Sequence, residues 1–138
     1  MPHSSADSSR ELKHAVQAFD EAFSSERLDD VTSLFSQDAQ LLVHHQPGVS
    51  GREVIRSAFA LFFEQFDILA YKPTYEFIEI HEDRAYTLGS WLQVLRPNDG
   101  RPDIKIHGRT VQFWRREDGQ WRLVMLLSAR FAPDEQVS

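Results

Sequence analysis

Apolar residues recur every three or four positions in the early part of the chain and every second position in the later part, the periods of helices and strands respectively. Leu12, Val16, Phe19 and Phe23 make one apolar stripe, and Ser8 with Glu11 three residues on reads as a capping box opening that helix. The stretch "LDDVTSLFS" continues as a shorter amphipathic helix, with Leu28, Val31, Leu34 and Phe35 on one side. "AQLLVHH" reads as the first strand. A "QPG" break follows, and Ser50 with Glu53 repeats the capping-box pattern before "REVIRSAFALFFEQF". Val54, Ile55, Ala58, Phe59, Phe62 and Phe66 give that helix a broad apolar face.

From residue 70 the period changes to two. "YKPTYEFIEIH", "RAYTLGSWLQVLR", "IKIHGRTVQFWRR" and "QWRLVMLLSARF" read as four strands, the last two joined by the hairpin signal Asp118-Gly119. Helices first and antiparallel strands afterwards define an α+β domain. The expected layout is a loose tail over residues 1–7, one domain over 8–133 and a C-terminal tail over 134–138. In the last strand simple alternation puts Leu123, Met125 and Leu127 on one face and Val124 and Leu126 on the other. A sheet with one solvated face would alternate polar and apolar positions. One face is therefore expected to cover the helices and the other to meet a second subunit in a homodimer.

Composition narrows the function. With 138 residues the chain fits one domain. Fifteen basic against twenty-one acidic residues give a net charge of −6. That balance argues against sequence-independent nucleic-acid binding and against anionic membrane surfaces. There is no cysteine, hence no disulfide framework or thiolate chemistry. The start, "MPHSSADSSR", lacks the apolar middle of a signal peptide, and no apolar run reaches the length of a membrane span, so the expected location is the cytoplasm.

The element order, with "LFSQDAQLLV", "GREVIRSAF" and "WRREDGQWRLV" at the joints, resembles the SnoaL-like branch of the nuclear transport factor 2-like superfamily over about residues 10–133. The resemblance implies a curved antiparallel sheet wrapped as a cone around the N-terminal helices, dimerisation and a deep pocket. Members include ketosteroid isomerases, polyketide cyclases, scytalone dehydratase, limonene epoxide hydrolase and non-catalytic association domains, so the fold leaves the function open. The isomerase's first-helix Tyr falls at Phe19, its Asp base at or beside Val43 and its acidic donor near Val111; none is present. The Asp-Arg-Asp set of the epoxide hydrolases is not evident around Glu76 and Glu79. The pocket arginines of the calcium/calmodulin-dependent kinase association domain fall near Leu88, Gln112 and Ser128.

What remains polar and inward is sparse. If Gln40 faces solvent, Leu41, Val43 and His45 face inward and His44 outward, though a bulge would exchange the two histidines. An imidazole at a cavity mouth is neutral at pH 7 and suits proton transfer; a rim residue beside Pro47 is the plainer reading. Tyr86, Ser90, Gln112, Trp114, Ser128 and Arg130 share one phase of the late strands, while Trp91 and Arg109 belong to the other and serve equally as a pocket set. Tyr and Gln donate to developing oxyanions and Trp supplies a flat wall. Arg130 either meets an acidic substrate group or is a solvated strand end. Asp20 borders the Phe19/Phe23 stripe, near a pocket mouth, and reads as a solvated helix position. The scattered histidines lack metal-ligand spacing, and no phosphate loop, nucleophile elbow or dinucleotide fingerprint is present. Neither metal nor cofactor is expected.

Two readings follow. One is a cofactor-free enzyme catalysing isomerisation, cyclisation or dehydration of a hydrophobic, oxygenated ring compound, polyketide- or steroid-like, with a histidine as acid/base. The other is a non-catalytic dimeric module for a small hydrophobic ligand or for assembly.

Overall fold

The Leu12–Phe23 stripe lies on α1 (Ser5–Ser24), one of three helices that cover one face of a curved, unclosed six-stranded sheet in the computed structural model, which describes residues 5–43 and 47–131. After α1 come α2 (Leu28–Ser33), β1 (Phe35–Val43), β2 (Val49–Ser50), α3 (Arg52–Gln65), β3 (Phe66–His81), β4 (Arg84–Pro97), β5 (Ile104–Glu117) and β6 (Gln120–Arg130). The strand order is β2-β1-β6-β5-β4-β3, antiparallel throughout except that β1 and β6 run parallel.

Neither capping box forms. α1 begins at Ser5, and Ser8 and Glu11 are instead taken by Arg116, whose guanidinium donates to Ser8 Oγ at 3.2 Å and pairs with Glu11 at 3.1 Å. α3 starts from Gly51, at φ +94°, with no side-chain cap from Ser50. That left-handed backbone is open to glycine and strained for other residues. α2 also ends earlier than its apolar spacing suggests. Leu34 closes it, its carbonyl accepts from the Leu123 N–H at 2.7 Å, and Phe35 opens β1. Pairing with the last strand outweighs helix periodicity there.

The core is aromatic. Phe23 stacks near Phe19 and Phe62 and meets Phe59 and Tyr71 edge-on, with centroids 5.0–6.3 Å apart. Leu12, Val31, Phe35, Ile55, Trp114 and Leu123 are fully buried. Burying such side chains stabilises the fold by about 1.5–3 kcal/mol each before entropy is counted. Val54, expected in the buried face of α3, is 49% exposed; the turn carries Ile55 and Phe59 inward instead.

Register decides which late-strand residues face the helices. Thr87 pairs with Gln112 and Ala85 with Trp114, so odd positions of β4 share the inner face with even positions of β5. A bulge at Phe113/Trp114 then pairs Phe113 with Met125 and Trp114 with Leu123. The extra residue shifts the alternation, so Leu123 and Leu126 are buried while Leu127 is exposed on the outer face. The simple two-residue period is thereby corrected. Pro73 sits within β3, tolerated because β3 is an edge strand with one unpaired side.

Candidate functional site

On the exposed side of the Phe19–Phe23 stripe, α1 faces β3 across a cavity of about 630 Å³. α1 contributes Lys13, Val16, Gln17, Asp20, Glu21 and Ser24; β3 contributes Tyr71, Pro73, Tyr75 and Ile78. Val16, Pro73, Ile78 and the two phenol rings make an apolar, aromatic interior, and the charged groups Lys13 and Glu21 belong to the helix side. The volume is in the range of small-molecule sites, roughly 300–1,000 Å³.

Asp20 is the chemical centre. Tyr75 donates to Asp20 Oδ2 at 2.7 Å, and Tyr71 reaches Oδ1 at 3.4 Å. The two tyrosines stand four residues apart on one strand and share its inner face. Burial penalises the Asp20 carboxylate and raises its pKa from 3.8 to about 6, against the lowering effect of both phenol hydrogen bonds. Burial and the neighbouring carboxylate hold both phenols above their ordinary range, so they stay protonated and act as donors. The result is a carboxyl poised to take or give a proton near neutrality, with two hydroxyls aimed at it.

Behind Tyr75 the polar contacts continue into the core. Tyr75 pairs with Gly89 on β4, two residues from Thr87, the strand partner of Gln112. Gln112 Oε1 accepts from Thr87 Oγ1 at 2.8 Å and from Trp114 Nε1 at 3.1 Å.

The sequence-derived site residues are dispersed. His44 and His45 lie outside the described residues. Phe19 precedes Asp20 but turns into the core, its ring 6.1 Å from Phe35. Gln112 and Trp114 are buried in the core, where Gln112 Oε1 holds Trp114 and Thr87, and neither lines the cavity. Trp91 faces inward and donates to Ser128 Oγ at 3.1 Å, away from Asp20. The register turns Tyr86 and Ser90 to the outer face, Tyr86 donating to Glu79 and Ser90 pairing with Arg109. Arg109 itself pairs with Glu76 at 2.7 Å. Arg130 is an exposed strand end.

Tyr71 and Tyr75 were not singled out from the sequence, and Asp20 was placed near a pocket mouth but read as solvated. Asp20 is not the solvated helix position its charge suggested, because the long edge strand β3 covers it. The signal lay in its spacing, four residues after Val16 and three before Phe23, together with two tyrosines at same-face positions of a strand. Among the described residues no group of three or more His, Cys, Asp or Glu could hold a metal ion, and no helix is long and apolar enough to cross a membrane.

Residues 16–124 match the SnoaL-like domain family, so the chain belongs to that family. No curated protein matches the sequence. Among solved structures, a ketosteroid isomerase-like protein from Erwinia carotovora atroseptica superposes with a TM-score of 0.83 at 13% identity, covering 90% of this chain and 96% of the other. A conserved protein from Planctomyces limnophilus gives 0.81 at 21% identity, with the same coverage. A candidate scytalone dehydratase from Novosphingobium aromaticivorans gives 0.77 at 16% identity, covering 91% of this chain and 85% of that one. At such identities the likeness establishes the fold.

Proposed function

We propose that this chain is a cofactor-free acid–base enzyme acting on a hydrophobic, oxygenated ring compound, and that Asp20 is its proton-transfer group. The observation that carries the reading is the carboxyl itself. It is held in an aromatic cavity with its pKa near 6 and two tyrosine donors on it. In the reaction, an Asp20 lone pair takes a proton from a carbon or hydroxyl of the substrate, breaking that bond and forming a carboxylic O–H. The acid then returns the proton at a second atom, which gives an isomerisation, or at a leaving hydroxyl, which expels water as in a dehydration. Neutral phenols supply hydrogen bonds to the carboxylate and keep it oriented through both steps. The isomerase- and dehydratase-like neighbours are consistent with this class of chemistry.

His45 is retained as a second proton-transfer candidate at the end of the strand that carries Val43, with His44 turned away; both rest on strand alternation alone. A second copy of the chain, covering the apolar outer face of the sheet, completes the proposed assembly.

The test is turnover of a panel of ring ketones, enols and hydroxy-ketones. Asp20→Asn should lower kcat/KM about 10²–10⁴-fold while ligand affinity stays within a few-fold. His45→Ala is run beside it. Wild-type rates in Asp20→Asn would remove Asp20 from the chemistry, and saturable binding with no turnover across the panel would remove the enzyme reading.

A further inference from the structure

Strand register lines up four basic side chains at one end of the outer face of the sheet: His81 pairs with Arg84 on β4, Arg84 with Arg115 on β5, and Arg115 with Arg122 on β6. Directly opposed residues on neighbouring strands share a face, and like charges in such pairs repel one another. The chain as a whole carries −6, so this positive end is a local arrangement and not background charge. Its members are unequally neutralised. Arg115 is held by Glu117 and, at 3.3 Å, by Asp38. Arg84 has its chain neighbour Asp83 at 3.4 Å, with the two side chains 59% and 61% exposed. An ion pair that open to water holds a guanidinium weakly.

One step along the strands the same face turns apolar. Tyr86 pairs with Phe113, and Phe113 with Met125. Val124 is the extra residue of the bulge beside them, where Trp114 already pairs with Leu123, so β6 bends there. His81, Arg84, Tyr86, Phe113, Val124 and Met125 line a cavity of about 450 Å³, again in the range of small-molecule sites. The Tyr86 hydroxyl is given to Glu79, which leaves its ring as a wall, tilted at 38° to Phe113 with centroids 6.4 Å apart. The cavity thus has an apolar body and a basic head, and it shares no lining residue with the cavity at Asp20.

We propose that this cavity is a second ligand site, for a small carboxylate with a flat apolar body, such as an aryl carboxylic acid. The Arg84 guanidinium takes the carboxylate through paired N–H donors that match its two oxygens. His81 closes the head from β3, and Tyr86, Phe113 and Met125 cover the body. The site does not depend on the acid–base reading above. Phe113 is also on the apolar outer face proposed for the second copy, so self-association is held constant in the test.

The probe is naphthoate, with uncharged naphthylmethanol as its control. Each is titrated by calorimetry and by NMR of the Val124 and Met125 methyl groups, always at the same protein concentration. Naphthoate should bind saturably and shift both sets of methyl signals. The alcohol should bind at least about tenfold more weakly, and Arg84→Gln should lower naphthoate affinity by about the same factor. Asp20→Asn should leave naphthoate affinity and the methyl shifts unchanged, which separates this site from the proposed catalytic cavity. Absence of saturable naphthoate binding overturns the proposal, as does binding that shifts Ile78 in place of Val124 and Met125. Wild-type affinity in Arg84→Gln overturns it equally, since that exposed side chain can be replaced without unfolding the sheet.

Discussion

The Tyr75 hydroxyl meets the Asp20 carboxylate at 2.7 Å, tying the middle of β3 to the second half of α1 across the cavity. The contact joins a partly buried acid to a phenol that burial keeps protonated, and it gives the stability of the protein a particular pH dependence.

Asp20 has a folded-state pKa of about 6 against 3.8 unfolded, so the folded chain binds more protons between those values. Stability therefore falls as pH rises through that window, the reverse of the usual salt-bridged carboxylate. The difference corresponds to at most about 3 kcal/mol at pH 8. Asp20→Asn keeps a hydrogen-bond acceptor for Tyr75 and should raise the denaturation midpoint at pH 8 while leaving it nearly unchanged at pH 3.5. Urea melts of both proteins across pH 3.5–8 check this, and a variant equally destabilised at every pH would contradict it.

Arg116 holds the start of α1 to the β5–β6 hairpin. Its guanidinium pairs with Glu11 at 3.1 Å, donates to Ser8 at 3.2 Å and lies 4.5 Å from the centre of the Trp121 ring, with the side chain 12% exposed. Arg116→Met should cost about 2–4 kcal/mol, since Glu11 loses this partner in a half-buried site. Arg116→Lys should recover only part of the loss, because a point charge cannot reproduce the planar fork. Thermal melts of the three proteins would decide the ranking.

The outer face of the sheet carries Phe77, Phe113 and Leu127 at 57%, 41% and 40% exposure. Leu88 and Val111 connect them, since Phe77 pairs with Leu88, Leu88 with Val111 and Val111 with Leu127. Such a band is expected to be covered by a second copy. Sedimentation equilibrium at micromolar concentration should give a dimer of the 16.0 kDa chain, and Phe113→Glu should give a monomer with an unchanged far-UV spectrum. A wild-type monomer would end the dimer proposal.

Gly89→Ala places a methyl group 2.3 Å from a backbone oxygen that cannot rotate away. The strands must separate where β3 bulges between Tyr75 and Phe77. A cost of about 1–3 kcal/mol is expected, together with a rise in the Asp20 titration midpoint as Tyr75 loses its place. Loss of stability without movement of that midpoint would separate the sheet crease from the site.

The elements were legible in the sequence because periodicity reports burial, and burial made them. Their edges and faces were less so. Ser8 looked like a helix cap because its own neighbours suit one; Arg116, from the far end of the chain, claims it instead. The phases of β4–β6 depended on a register and a bulge at Phe113/Trp114 that no local pattern encodes. Asp20 was the hardest case. A carboxylate on a helix beside an apolar stripe is normally solvated, and only tertiary pairing with Tyr71 and Tyr75, more than fifty residues away, turns it into a buried acid. Gln112, by contrast, stood out early as an inward polar residue, though its hydrogen bonds are with Thr87 and Trp114 in the core.

The parallel pairing of β1 with β6 carries a consequence for biosynthesis. On a ribosome the first long strand emerges with only the two-residue β2 to pair with, and its main partner is made last. Until Gln120–Arg130 has cleared the exit tunnel, the row of amides and carbonyls along Phe35–Val43 stays an open edge beside a nearly complete set of helices. Closure of the sheet therefore waits for the last of these strands, and chains truncated or stalled before it are the species most exposed to strand-to-strand aggregation.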